Sequence, residues 1–147
     1  MNSKINIIIL DSNFILLPFQ FKIDYLNEIR FIIVGRLKFV IFRQILNELE
    51  SKRTREQKGT KYIRLLENGI SYIDKNKQNY NIEILEDIKE ITEKTDDFLL
   101  RKSQELQIIG QNVYLATNDS ELRRKAKRIN ISTIFLRQKK YLSVERA

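Results

Sequence analysis

Residues 4–16 read KINIIILDSNFIL, and from Ile5 to Leu10 every residue except Asn6 is apolar. A short apolar run bounded by polar residues reads as a strand buried on both faces, the hallmark of a parallel sheet. The run ends on Asp11. A carboxylate is costly to bury unless something pairs with it, so the reading of the chain turns on the partner of Asp11.

Working outward, short apolar β-rich runs alternate with longer helical patterns. Strands are expected near Asn6 to Leu10, Lys38 to Ile41, Ile82 to Leu85, Val113 to Ala116 and Ser132 to Leu136, each separated by one or more helices. This alternation predicts a three-layer α/β/α fold around a central parallel sheet of four to five strands. Pro18 suits the first turn of a helix running through QFKIDYLNEI, residues 20–29. Gly35, Gly59 and Gly110 punctuate helix ends or turns, and DKNKQNYN, residues 74–81, reads as a loop. With 147 residues, 42% of them hydrophobic, one domain spanning 1–147 is expected.

Composition removes several chemistries. Cysteine and histidine are both absent, which excludes disulfides, thiolate or imidazole metal sites, a Cys nucleophile and the commonest general base. Any chemistry runs on carboxylates, hydroxyls, Lys and Arg. No apolar segment approaches the roughly 20 residues that cross a bilayer, and the start lacks a signal-peptide pattern, so a cytoplasmic protein without membrane association is expected. The formal charge of +8 favours a polyanion as partner, because Lys and Arg release counterions when they neutralise phosphates. The basic residues concentrate in ELRRKAKR, residues 121–128, and LRQKKY, residues 136–141, which makes the field directional.

In open parallel sheets ligands bind outside the carboxyl ends of the strands. Asp11 stands at such an end, as does Asp119 in NVYLATNDSEL, residues 112–122. TEKTDDFLLRK, residues 92–102, places Asp96 and Asp97 in the first turn of the helix leading into the fourth strand. Glu48, in IFRQILNELESK, residues 41–52, stands at the margin of a helix face built around Ile41, Ile45 and Leu49. Each has a structural reading as well. Thr95 makes a good N-cap with Asp96 and Asp97 complementing the helix dipole, and Asn118, Asp119 or Ser120 suits the cap of the next helix. Jointly the pattern is stronger: carboxylates gathered at one rim repel one another, and without His or Cys a hard cation with oxygen ligands is the natural compensation.

The order ILDSNFIL, a helical Glu in LNELE, TDDFLL and YLATNDSEL resembles the PIN-domain nucleases. The tail LATNDSELRRKAKRINISTIFLRQKKYL, residues 115–142, resembles small archaeal PIN proteins, the PIN factors of ribosomal-RNA processing and VapC-type ribonucleases. The resemblance covers nearly the whole chain. It implies a PIN-like fold and a metal-dependent endoribonuclease in which Asp11, Glu48, Asp97 and Asp119 are the catalytic acids and bind Mg²⁺ or Mn²⁺, with Asp96 a neighbour that shares the metal. Helical spacing sets Asp96 in line with Leu99, Ser103 and Leu106, while the match of DFLL to the family favours Asp97, which is the residue taken here.

On this reading Ser12, Asn13, Thr117 and Asn118 support the site by hydrogen bonding, and Arg123, Arg124, Lys127, Arg137, Lys139 and Lys140 hold the flanking RNA backbone. Phe14, Tyr114 and Tyr141 are the aromatic residues considered for stacking on bases. The resemblance alone implies single-stranded RNA as substrate. It leaves a role in ribosomal-RNA processing, a toxin-type ribonuclease held by an antitoxin, and general RNA decay as alternatives, with a ribosome-assembly protein as another partner class and homodimerisation open. Two other folds fit less well. A haloacid-dehalogenase-type phosphatase needs an Asp where Asn13 stands, and a phospho-receiver domain needs a clean single Asp where Glu86 and Asp87 follow the third strand. The main rival is a PIN fold that binds RNA or a protein without cutting.

Overall fold

A computed structural model describes residues 4–56 and 60–147; Gly59, read above as a turn residue, lies outside them. The chain runs β1 (Asn6–Leu10), α1 (Ser12–Ile15), α2 (Leu17–Gln20), α3 (Tyr25–Ile32), β2 (Leu37–Phe42), α4 (Arg43–Arg55) and α5 (Lys61–Asn76). It continues through β3 (Ile82–Leu85), α6 (Thr95–Ile108), β4 (Asn112–Ala116), α7 (Ser120–Arg128), β5 (Ser132–Arg137) and β6 (Tyr141–Glu145). The sheet order is β3-β2-β1-β4-β5-β6, with β1 to β5 parallel and β6 antiparallel at the edge. Helices cover both faces, so the architecture is three-layer α/β/α. Among the described residues no helix is long and apolar enough to cross a membrane.

β1 is the centre of the sheet, and all five of its residues are buried. The one polar member, Asn6, is satisfied: its Nδ2 donates to the carbonyls of Val34 and Arg36 at 3.1 Å each, and its Oδ1 accepts from Asn112. These bonds close the amino end of the sheet and leave the carboxyl end for Asp11.

The five anticipated strands are present, and a sixth, β6, was not expected. It follows β5 through a tight turn in which Lys140 N donates to Arg137 O, with Gln138 and Lys139 both at positive φ (54° and 56°). Two successive positive φ angles suit the right-handed twist of a two-residue hairpin, but the residues that normally announce them are Asn and Gly. QKK carries no such signal. Three other expectations change. The helix drawn through residues 20–29 is two helices, because Lys22 adopts φ 57° and interrupts the winding; Pro18 does sit in the first turn of α2. Ile41 belongs to β2, so the buried face of α4 is made by Gln44, Ile45 and Leu49. The loop anticipated at residues 74–81 begins later, since α5 continues to Asn76.

Gly69 carries a constraint that its place in an ordinary helical pattern hides. A Cβ added there would lie 2.1 Å from the carbonyl oxygen of Ile15 and 3.0 Å from its carbon, so α5 packs directly on the backbone of α1, the short helix that begins next to Asp11. Ala is the better helix former by about 1 kcal/mol, yet the clash is with backbone that cannot rotate away. Gly69→Ala is expected to lower the unfolding free energy by about 1–3 kcal/mol, read as a reduced urea midpoint.

Candidate acidic site at the sheet switch point

β1 lies between β2 and β4, and the strand order reverses there, which in open α/β sheets opens a crevice at the carboxyl ends of the strands. The β1–β4 register pairs Leu10 with Ala116. The ladder runs one residue further, with Asp11 N donating to Ala116 O at 3.0 Å and Thr117 N to Ile134 O at 2.9 Å. Asp11 and Thr117 are thus carried past the strand ends on the hydrogen-bonded frame of the sheet itself.

Both carboxylate oxygens of Asp11 are held. Oδ1 accepts from Ser12 N at 2.8 Å; Oδ2 accepts from Thr117 Oγ1 at 2.7 Å and from Asn13 Nδ2 at 3.3 Å. Thr117 Oγ1 in turn accepts from Asp119 N at 3.1 Å, so one hydroxyl connects the two aspartates. Asn118 N donates to Asn13 Oδ1 at 3.1 Å, and Asn118 Oδ1 accepts from Leu136 N at 2.8 Å, which ties the loop after β4 to α1 and to β5. Asp119 caps α7, accepting at Oδ1 from Glu121 N and Leu122 N, and it remains exposed at the rim.

Glu48 is half-buried on α4 and accepts a short hydrogen bond at Oε1 from Thr95 Oγ1, the first residue of α6. Thr95 is therefore not the N-cap; Lys94 holds that position and makes no side-chain cap. Asp96 and Asp97 follow on α6 with different surroundings. Asp97 is exposed, whereas Asp96 is partly buried and interacts electrostatically with both Asp119 and Asp11. The structure thus brings Asp96, rather than the expected Asp97, to the rim. Residues 96, 99 and 103 share a face, and Leu99 and Ser103 are fully buried, so the helical spacing accounts for the inward placement of Asp96.

The acids whose carboxyls are perturbed fall into two electrostatic kinds. Arg43 holds Glu86 below the usual carboxylate range, Lys102 does the same for Asp87 and Glu105, and Arg101 draws Glu93 down to about 2. At the rim the direction is opposite. Burial pushes Asp11 up, and nearby Asp119 and Glu48 push it further, against the hydrogen bonds from Thr117 and Ser12. Asp96 is raised by burial, then by Asp119 and Asp11, with Lys125 opposing. Among the described residues none of Asp11, Glu48, Asp96 and Asp119 has a salt bridge within 4.0 Å. No three of these acids already stand as a closed metal-binding group among those residues. As a donor set, however, uncompensated carboxylate oxygens that repel one another fit a hard divalent cation.

The remaining candidates separate by burial. Phe14 is fully buried against Tyr25, and Tyr114 is buried with its hydroxyl accepting from Arg146, so both are core residues; Tyr141 is exposed. Arg123 stacks on Phe135 with its guanidinium carbon 3.5 Å from the ring centroid, and Arg137 lies 5.2 Å from the same ring. Arg124, Lys127, Lys139 and Lys140 are exposed. A cavity of about 620 Å³ between α4 and α5 is lined by none of the rim acids. Sequence reasoning missed Thr95 as the partner of Glu48, because Thr before two acids reads as a cap.

A mainly parallel sheet between two helical layers, with acids clustered at its switch point, defines a three-layer α/β/α protein. The chain belongs to the PIN-like domain family, whose model matches residues 8–139. It is 28% identical over 138 residues to Ribonuclease VapC4 of Methanocaldococcus jannaschii, an alignment covering 93% of this chain and 95% of that one. Among solved structures it is similar to that of the PIN domain endonuclease Utp24, with TM-score 0.68 and 22% identity over 96% of this chain and 92% of the other. It is also similar to a domain of a functionally unknown protein from Methanocaldococcus jannaschii, with TM-score 0.60 and 17% identity over 92% of each chain. These structural likenesses show the fold.

The raised carboxyl of Asp11 means that the folded chain keeps this proton to higher pH than the unfolded chain does. Its favourable contribution is complete below the ordinary carboxylate range and is lost as pH rises through the folded value. In EDTA, Asp11→Asn is expected to melt at or above the parent temperature at neutral pH, with the advantage shrinking as pH falls. Thermal melts of both proteins across the acidic range check this; a variant less stable at every pH would show that its hydrogen bonds outweigh its burial.

Proposed function

We propose that the protein is a metal-dependent endoribonuclease that hydrolyses phosphodiester bonds of single-stranded RNA at the acidic rim. The observation that carries this reading is the mutual repulsion of Asp11, Asp96, Asp119 and Glu48 at the switch point in a chain whose other perturbed acids are ion-paired. The PIN-like family match and the ribonuclease relative support it. A carboxylate needed only for structure has no reason to remain uncompensated beside three others.

Asp11, Asp96, Asp119 and Glu48 would hold Mg²⁺ or Mn²⁺, and Asp97 stands next to them as an outer acid. A divalent ion there supplies Lewis acidity toward the phosphate and makes water a nucleophile near neutral pH. The chain's own residues orient the reactants. Thr117 and Ser12 fix the carboxylate plane of Asp11. Thr95 holds Glu48 from the start of α6. Asn13 and Asn118 brace the loop that carries Asp119. Water would add to phosphorus as the P–O bond to the leaving nucleotide breaks, the water losing a proton to solvent and the leaving oxygen taking one from it, while the basic residues of α7 and the β5–β6 turn hold the strand on either side.

The purified protein is expected to cut single-stranded RNA with Mn²⁺ or Mg²⁺ and to stop in EDTA. Asp11→Asn, Asp96→Asn and Asp119→Asn are expected to abolish cutting with the fold retained, while Asp97→Asn keeps most of it. Thr117→Val, which removes the hydroxyl that bonds Asp11 and the Asp119 amide but no acid, is expected to lower activity about 10–100-fold. Gel assays with circular-dichroism controls read these outcomes. Parent-level cutting by Asp11→Asn and Asp119→Asn would sink the site assignment, and a parent that binds RNA but cuts with neither ion would leave the rival reading, a PIN fold that binds without cutting.

A further inference from the structure

α7 begins at Ser120, the residue after Asp119, and carries the stripe Ser120, Arg123, Arg124 and Lys127. Positions i, i+3, i+4 and i+7 share one helical face, and this stripe extends about 10 Å at 1.5 Å per residue. Together with Glu145 of β6 these residues line a single open pocket of about 440 Å³. Three cations therefore face one carboxylate. None of the four closes a salt bridge within 4.0 Å across the pocket among the described residues, although α7 does form the weak Lys125–Glu121 pair at 3.9 Å.

Arg123 is the fixed member. Its guanidinium lies on Phe135 at 3.5 Å, and its Nε is buried with no hydrogen-bond partner among the described residues. Stacking on a buried ring removes most of the rotamer freedom a surface arginine loses on binding, so the planar fork is already oriented. A guanidinium fork matches the two free oxygens of a phosphodiester. Arg124 and Lys127 stay exposed on either side and add charge without fixed geometry. The pocket starts at Ser120, one residue after Asp119 of the acidic rim, within reach of a strand whose phosphate sits at that rim.

We propose that this pocket is a backbone subsite that grips the RNA strand on one side of the cut, and that Glu145 limits its affinity. The proposal rests on the reading of the rim as an RNA-cutting site. It goes beyond that reading by separating Arg123, Arg124 and Lys127 from the turn residues Lys139 and Lys140, and by giving the edge strand β6 a role. Glu145 enters the pocket because β6 pairs antiparallel with β5, which sets it opposite Thr133. A carboxylate among three cations repels phosphate, so its presence keeps the subsite from holding product tightly.

The test is equilibrium binding of a labelled single-stranded oligouridylate to the full chain in EDTA, followed across a salt series. Arg124→Ala and Lys127→Ala are each expected to weaken binding roughly tenfold and to lower the slope of log affinity against log salt by about 0.7. Glu145→Gln is expected to tighten binding severalfold. Unchanged affinity and slope in Arg124→Ala and Lys127→Ala, or no tightening in Glu145→Gln, overturns the proposal, as does tighter binding of oligoglutamate than of RNA. Binding is read without reference to cleavage, so the two readings fail separately. Loss of binding in the pocket variants together with parent-level cutting by the rim variants removes the assignment of the rim acids alone.

Discussion

One hydrogen bond, from Asp11 N to Ala116 O, governs the site. It continues the parallel ladder beyond Leu10 and so places Asp11 opposite Thr117, whose hydroxyl then reaches Asp11 and the amide of Asp119. A shift of one residue in this register would turn the side chain of Thr117 to the other face of the sheet. The aspartates would then have no common partner. The buried, almost wholly apolar β1 fixes that register, since every one of its side chains must find a covered face.

Against this frame the charges of the protein have two separate uses. Arg43, Arg101 and Lys102 neutralise Glu86, Glu93, Asp87 and Glu105 around the loop before α6, and Gln44 fastens the same loop through the amide of Lys89. That arrangement positions the first turn of α6, and with it Asp96, beside the strand ends. The rim acids are left without such partners. The stability that ion pairing supplies next to the site is thus withheld within it, and the local repulsion is available to a cation or to chemistry.

Much of this was legible from residue order. The apolar run before Asp11 located the central strand, and residue order and family resemblance assigned Asp11, Glu48, Asp97 and Asp119 to the rim, with Asp96 as a neighbour, before any geometry was known. What escaped the sequence depended on distances between segments far apart in the chain. Asp96 and Asp97 are adjacent and chemically identical, and only the packing of α6 on β4 decides which of them faces inward. Thr95 looked like a cap because its bond to Glu48 crosses 47 residues. Gly69 looked like an ordinary helical residue because the Ile15 carbonyl it accommodates is equally remote. β6 was hidden because Gln138 and Lys139 take up a backbone conformation that their side chains do not favour.

The strand order also bears on how the chain is made. β1 leaves the ribosome well before its neighbour on one side, β4, which ends at Ala116, 106 residues after Leu10 in the pairing. At a synthesis rate of about 5–20 residues per second, that apolar edge waits on the order of 5–20 s for its partner. During this interval Asp11 has no Thr117 and no Asp119 beside it. A truncated or still-growing chain therefore cannot assemble the acidic rim, and the chemistry of the molecule is withheld until its sheet is closed around β1.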